Sequence, residues 1–569
     1  MGGLFLSSKK ILIIGGVAAG PKTAARARRL DPDAQITILE KGKYISFAGC
    51  GMPFYLSGKI HDFDHLYSTS YGVKRDPEFF KSERGVDVFT GMEAISIDRA
   101  NKRVIARNVD TGEERVFEYD KLVLGTGSYP ITPPIENLDL KGVYRLNHLE
   151  DAQTIKQALD AGEVNDVVII GTGFIGMEAV DAVFSPMRTV TVVEFRDTLL
   201  PGILDPDMGT LLYKNFYEQG LEGRFGEKVL RLEGEDGRVT KVITDKGSID
   251  ADAVILAVGV RPNVKLAQEA GLTIGETGAI VVNEYMQTSD PDIYALGDCV
   301  ENTHLLTGKK VYAPMATYAN RQGRVVGDNV TGGKSTFKGI LGTGVLHCMG
   351  MNVARTGLGE VQARALGYDI ESILVATFDM THYHPNSNKI LLKMIVEKNT
   401  RKLLGIQGIG KGEVAKRIDV AATMMYYGGT LDDLLNLDLG YAPPYNTPID
   451  PMVHTGMALK NKLEGVANTY TPQEVKEKLA RGEDFVLLDV RTPQQFNMRH
   501  IEDDRVQQLT LGELREKLDQ VPGDKEIVTV CVMGTRAYEA SRILQGAGFK
   551  NVKFMEAGME GWPFDMDDF

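Results

Sequence analysis

Residues 46–58 read SFAGCGMPFYLSG, with one thiol, Cys50, set between Gly49 and Gly51. No second cysteine follows at CxxC or CxxxxC spacing, so Cys50 cannot close a local disulfide. Its chemistry must run through a mixed disulfide with a substrate, or through a sulfenic acid formed with a peroxide. Both routes need a thiolate, which a helix N-terminus or a neighbouring cofactor can favour. A second thiol opens the six-residue loop Cys531-Val532-Met533-Gly534-Thr535-Arg536, between an apolar run and a helical one. Amides curled around the sulfur, with a helix dipole behind them, stabilise Cys531 first as thiolate and then as persulfide. Cys299 and Cys348 read as structural. No Cys/His ligand spacing is present, so no metal is expected.

Two glycine loops could hold nucleotides. Gly171-Thr-Gly173-Phe-Ile-Gly176 is a complete GxGxxG between a strand-like run (DVVII) and a helix-like run. Gly171 allows the turn, Gly173 lets backbone approach a pyrophosphate, and Gly176 lets helix and strand pack closely. Glu194 ends the next strand, where a carboxylate can bind ribose hydroxyls and repel a 2′-phosphate. NADH is therefore favoured, and Arg196 nearby leaves NADPH open. The first loop, Gly15-Gly16-Val17-Ala18-Ala19-Gly20, departs from the strict pattern at Val17, but Glu40 closes its second strand. Two such loops with a downstream LGD suggest one flavin and one nicotinamide, hydride entering from NAD(P)H and leaving through FAD.

These groups need rigid elements behind them. The β-loop-α-β grammar of Lys10–Glu40 returns at Asp166–Glu194, and SDPDIYALGD predicts a strand that ends at Asp298. The first domain should therefore resume after the second. The expected division is a FAD-binding domain over 1–150 and 266–338, and an NAD(P)H-binding domain over 151–265. A mixed α/β domain without nucleotide loops follows over 339–462, then a last α/β domain over 470–569. The proline-rich GYAPPYNTPIDP at 440–451 cannot be regular helix or central strand, and the polar stretch Lys460–Thr471 reads as a linker. The 569 residues carry 43% apolar side chains and a net charge of −13, an ordinary globular chain without the broad basic face that nucleic acid or a membrane surface would require. No apolar run approaches a membrane span. The start MGGLFLSS weakly mimics a signal peptide but runs straight into a nucleotide loop, and Leu6 breaks the myristoylation pattern. Four cysteines in this length fit a reducing, cytoplasmic setting.

GTGS at 125–128 and Tyr294-Ala-Leu-Gly-Asp298 resemble the flavin contacts of the pyridine nucleotide-disulfide oxidoreductases. The resemblance implies two glutathione-reductase-like, Rossmann-type α/β domains and an α+β dimerisation domain. It implies flavin contacts at Thr126 and Gly127, and Asp298 on the ribityl chain. SFAGCGMPFY, Thr381-His-Tyr383-His-Pro385 and GYAPPYNTPIDP resemble the single-cysteine branch, the coenzyme A disulfide reductases with their NADH oxidase and CoA-persulfide reductase relatives. In that branch two tyrosines reach the cysteine of the partner subunit in a homodimer. By motif they are Tyr383 and Tyr441, with Tyr445 as neighbour. Phenols can protonate a departing thiolate.

Lys22, Arg26 and Arg29 lie at i, i+4, i+7 on the first predicted helix. On their own they fit a solvated face as well as a phosphate site. The resemblance implies CoA contacts there, and at Ser46, Arg84 and Asn320. Gly49 and Ile449 depart from the branch, which carries Asn and, in some relatives, Lys at these positions. LLDVRTPQQF and EAGMEGWPF resemble a rhodanese domain, in which a six-residue loop suits sulfur. Arg499 replaces the glycine of that family's GHI motif, and GAxNIP is missing.

The implied function is reduction of CoA disulfide, CoA persulfide or polysulfide through a mixed disulfide at Cys50, with Cys531 and Arg536 handling sulfane sulfur. One alternative is an NADH oxidase or peroxidase with a Cys50 sulfenate. Another is a flavoprotein sulfur carrier whose rhodanese only docks partners.

Overall fold

The computed structural model describes residues 8–564. Leu6 and the opening segment lie outside the described residues. The chain falls into two compact units. One holds the chain up to Gly171, Ala179–Val190 and Val229–Ile340; the other holds Thr172–Glu178, Thr191–Lys228 and the chain from Leu341 onward.

In the first unit, strand Lys10–Ile14 pairs in parallel with Gln35–Leu39 on one side and Lys121–Leu124 on the other. Apolar residues fill both faces of these strands, as a parallel sheet covered by helices requires. Asp87–Phe89 extends one edge and Ile293–Ala295 the other, so the chain returns to the first sheet after the second glycine loop. That returning strand ends at Ala295, earlier than its sequence suggests. Gly297–Cys299 forms a 3-10 turn instead, and the Gly297 amide donates to the buried Gln322 side chain at 2.8 Å. Asp166–Ile170 pairs in parallel with Ala253–Leu256, which pairs with Val143–Arg145.

The second unit contains an antiparallel sheet ordered Gly344–Cys348, Met351–Gly357, Leu403–Gly410, Lys389–Glu397, Ile370–Phe378. Its last domain is a parallel sheet ordered Thr469–Tyr470, Val552–Met555, Glu526–Val530, Phe485–Asp489, Val506–Gln508. Residues 440–450 carry no helix or strand, as their prolines demand, and Pro451 sits in the first turn of helix Pro451–Leu463.

The stretch Lys460–Thr471 is not a linker. Its first residues close that helix, and Thr469–Tyr470 joins the last sheet. Its polar composition misleads because Lys462 points inward to the buried carboxylate of Glu556. Among the described residues no helix is long and apolar enough to cross a membrane, and no group of three His, Cys, Asp or Glu could hold a metal ion.

Candidate functional site

The two glycine loops repeat one hydrogen-bond pattern. The Gly16 amide donates to Glu40 Oε2 at 2.6 Å, and the Gly42 amide to Oε1 at 2.6 Å. Thr172 donates through its amide and hydroxyl to Glu194 Oε2, both at 2.9 Å, and the Arg196 amide to Oε1 at 3.0 Å. In each fold the acid ending the second strand ties the glycine turn to its own following turn. Gly20 opens helix Ala19–Leu30, where a Cβ would come within 1.9 Å of the Gly15 carbonyl oxygen, so only glycine lets the helix close on the loop. A Cβ at Gly173 would meet nothing within 4 Å, which leaves room for a pyrophosphate ahead of helix Phe174–Val183, inside which Gly176 lies.

Asp298 accepts from the Ser128 hydroxyl at 3.3 Å, and the Thr126 hydroxyl, one residue before Gly127, donates to the Asn263 carbonyl at 2.6 Å. Burial pushes the Asp298 carboxyl up, with the Ser128 hydroxyl pulling it partly back. Tyr312 stands beside them, its pKa also raised by burial, and its phenol oxygen is buried without a hydrogen-bond partner. Such an orphan hydroxyl next to an acid and a serine fits a polar chain bound between them, as a flavin's ribityl would be. Motif reading missed Tyr312 because nothing in VYAPM marks it.

Cys50 is exposed, in the 3-10 turn Gly49–Gly51 ahead of the five-residue helix Met52–Leu56. The approach to it is tied to the first glycine loop. The Ser46 amide donates to the Gly16 carbonyl at 2.8 Å, and Arg75 donates to the Ser46 carbonyl at 2.9 Å, holding Ser46 at φ 52°. On helix Ala19–Leu30, Lys22 and Arg29 are exposed, but Arg26 is half-buried in an ion pair with Asp328. The stripe therefore offers two exposed cations rather than three. Arg28 donates to the Gly85 carbonyl at 2.7 Å, which brings Arg84, stacked over Phe79, to the same helix. Asn320 is exposed on helix Ala316–Val330, which packs against Lys22 and Arg26 through Gly323 and Gly327.

In the second unit the Tyr383 and Tyr441 phenols lie close to each other, and this neighbour raises the Tyr441 pKa. Both side chains are exposed, as is Tyr445. A fully buried guanidinium holds their loops. Arg417 donates to the Asp379 carbonyl at 2.6 Å and to Asn446 Oδ1 at 3.1 Å, with Asp450 at 3.6 Å. Thr381 adds a hydroxyl bond to the Pro443 carbonyl at 3.4 Å. No motif pointed to Arg417.

Cys531 is buried, and its sulfur accepts from the Gly534 amide at 3.1 Å. Helix Thr535–Gly546 begins directly behind it. Arg536 donates to Gln495 Oε1 at 2.9 Å. Cys299 and Cys348 are buried, their thiols on the Leu296 and Met177 carbonyls, each at 3.2 Å.

Residues 9–323 match the model of the pyridine nucleotide-disulphide oxidoreductases. Residues 346–452 match that family's dimerisation domain, and residues 471–563 match a rhodanese-like domain. A CoA-dependent NAD(P)H sulfur oxidoreductase of Pyrococcus abyssi is 38% identical over 452 residues, 79% of this chain and 98% of that protein. The structure of an NAD-dependent persulfide reductase from A. fulgidus superposes with a TM-score of 0.93 at 43% identity, covering 97% of this chain and 100% of that one. Reduced CoADR-RHD of Bacillus anthracis gives 0.89 at 36%, covering 97% of each chain. This chain belongs to the pyridine nucleotide-disulphide oxidoreductases, the family that uses FAD and NAD(P)H, and carries a rhodanese-like domain after the dimerisation domain.

Proposed function

We propose that this protein is a homodimeric, cytoplasmic flavoenzyme that reduces CoA persulfide, CoA disulfide or polysulfide with NADH. The observation that carries this reading is the single exposed thiol, Cys50, tied through Ser46 to a glycine loop whose acid is already in place. A flavin held by Gly15, Gly20, Glu40, Thr126, Gly127, Asp298 and Tyr312 supplies the two-electron relay from a nicotinamide at Gly171–Gly176 and Glu194. Cys50 thiolate attacks the inner sulfur of CoA–S–SH, breaks the S–S bond and releases hydrosulfide. The resulting Cys50–S–S–CoA link takes two electrons and a proton, returning Cys50 thiolate and CoA thiol. With CoA disulfide the first leaving group is CoA thiolate. The Tyr383–Tyr441 pair, contributed by the partner subunit with Tyr445 beside it, protonates the departing sulfur. Lys22, Arg29 and Arg84 face the CoA phosphates, with Arg26, Ser46 and Asn320 around them.

Cys531 takes sulfane sulfur as a persulfide, with Arg536 at its rim. Domain limits of 1–150 with 266–338, 151–265, 339–462 and 470–569 serve this division of labour. The partners are small thiols and persulfides and a second copy of the chain, with neither nucleic acid nor membrane. The rhodanese domain and the sulfur-reducing relatives support this reading over an NADH oxidase. The test is NADH consumption with CoA persulfide, CoA disulfide, polysulfide and oxygen, measured side by side. Cys50→Ser is expected to abolish the sulfur-dependent rates; their survival would exclude the mechanism.

A further inference from the structure

The Cys531 loop leans on a short segment of its own domain. The Met559 amide donates to the Cys531 carbonyl at 2.9 Å, and the Glu560 amide to the Val532 carbonyl at 3.0 Å. Between them and Glu556, Gly558 leaves no space, since a Cβ there would lie 2.3 Å from the Cys531 carbonyl oxygen. These contacts turn the first loop carbonyls outward, while the Gly534 amide faces the sulfur.

The same segment is fastened to the neighbouring antiparallel sheet. Glu556 is 1% exposed. Its carboxylate accepts from the Leu374 amide at 2.8 Å, Lys462 Nζ at 2.8 Å and the Thr469 hydroxyl at 2.6 Å. Lys462 also donates to the Ser372 carbonyl at 2.8 Å and lies 3.2 Å from Glu371. Burial works against its charge, but Glu556 and Glu371 outweigh burial and hold its pKa above the ordinary value. At the other end of the segment, Glu560 pairs with Lys389. Leu374 and Ser372 belong to strand Ile370–Phe378, and Lys389 begins the next strand. The loop between these strands carries Tyr383.

We propose that Glu556 is a positioning residue for Cys531: it bolts the wall behind the sulfur loop to the dimerisation sheet, so that the loop holds its amide-inward shape only while that sheet holds Glu556. This rests on the reading of Cys531 as a sulfur carrier. In that step Cys531 thiolate attacks the outer sulfur of an organic persulfide. The S–S bond breaks, the thiol leaves with the electron pair, and Cys531 keeps the sulfur as a persulfide, with no net change of oxidation state.

The experiment loads the full-length holoenzyme with CoA persulfide without oxygen and follows sulfur on the Cys531 peptide by mass spectrometry. Alkylation of Cys50 in the same sample serves as the reference. Glu556→Gln should slow loading at saturating donor roughly tenfold, the effect of losing one charge-assisted hydrogen bond, with the donor concentration for half-maximal rate unchanged. Lys462→Gln reaches the wall from outside the rhodanese domain and should slow loading likewise, which keeps the test open should Glu556→Gln not fold. The double variant, leaving no unpaired buried charge, should load at least as fast as either single one. Unchanged loading in a folded Glu556→Gln or Lys462→Gln protein overturns the proposal. Failure of the unaltered enzyme to load Cys531 at all overturns instead the carrier reading beneath it.

Discussion

The phenols of Tyr383 and Tyr441 lie close to each other although they sit on two separate loops of the dimerisation domain. What holds the loops together is Arg417, whose side chain is 1% exposed and whose partners come from both. Arg417→Met would leave the buried Asp450 carboxylate without the cation that faces it. Removing one member of a buried charge pair costs about 3–5 kcal/mol. Denaturant unfolding of the variant should show a loss of that order, together with slower sulfur-dependent turnover. An unaltered unfolding midpoint would remove Arg417 from the account of this pair.

Glu194 is 9% exposed and its oxygens are fixed by Thr172 and Arg196. A carboxylate so placed accepts ribose hydroxyls and repels a 2′-phosphate. Glu194→Gln keeps an acceptor oxygen and loses the charge. The NADH-to-NADPH ratio of kcat/KM should fall by about tenfold, equivalent to about 1.4 kcal/mol. Steady-state kinetics with the two nucleotides decides it, and an unmoved ratio would place discrimination elsewhere.

Much of this architecture is readable without coordinates because its signals are local. KILII followed by glycines, and DVVII followed by GxGxxG, each carry strand, turn and helix within thirty residues. The six-residue loop at Cys531 is equally local. What escapes is every lone polar residue whose partner lies far along the chain. Arg26 reads as a free cation until Asp328, 302 residues on, answers it. Arg417 and Tyr312 have no motif around them. Lys462 belongs to a stretch that looks like a solvated linker, since composition cannot reveal that a lysine finds Glu556 in another domain.

Glu178 lies in helix Phe174–Val183, and burial alone pushes its carboxyl up to about 7. A raised carboxyl contributes stability in full below its ordinary value of 4.5 and loses it as pH rises through about 7. Above that pH the folded chain carries a poorly solvated charge. Glu178→Gln should therefore melt higher than the parent at pH 8.5, by on the order of 3 kcal/mol, and nearly with it at pH 5. Calorimetry at the two pH values checks both the sign and the window, and equal melting at pH 8.5 would falsify the burial argument.

Lys393 is 6% exposed and meets three carboxylates: Asp207 at 2.8 Å, Glu360 at 2.9 Å and Asp205 at 3.4 Å. One ammonium cannot neutralise three acids, and the site resolves unevenly. Burial opposes the charge on Lys393, but the acids hold its pKa well above the ordinary range. Burial, reinforced by Asp205, leaves Asp207 raised despite Lys393. At Glu360 burial is outweighed by Lys393, Arg364 and Ser372, and the carboxyl is held at about 2. A depressed carboxyl contributes stability in full above its ordinary value of 4.5 and loses it as pH falls toward about 2. Glu360→Gln should lower stability at pH 7 by on the order of 3 kcal/mol and flatten the acid limb of the unfolding curve between these values. Asp207→Asn should cost less at pH 7, because it removes a charge that the folded chain already disfavours. Unfolding titrations of the two variants across that window separate the acids, and a larger loss for Asp207→Asn would reverse the assignment.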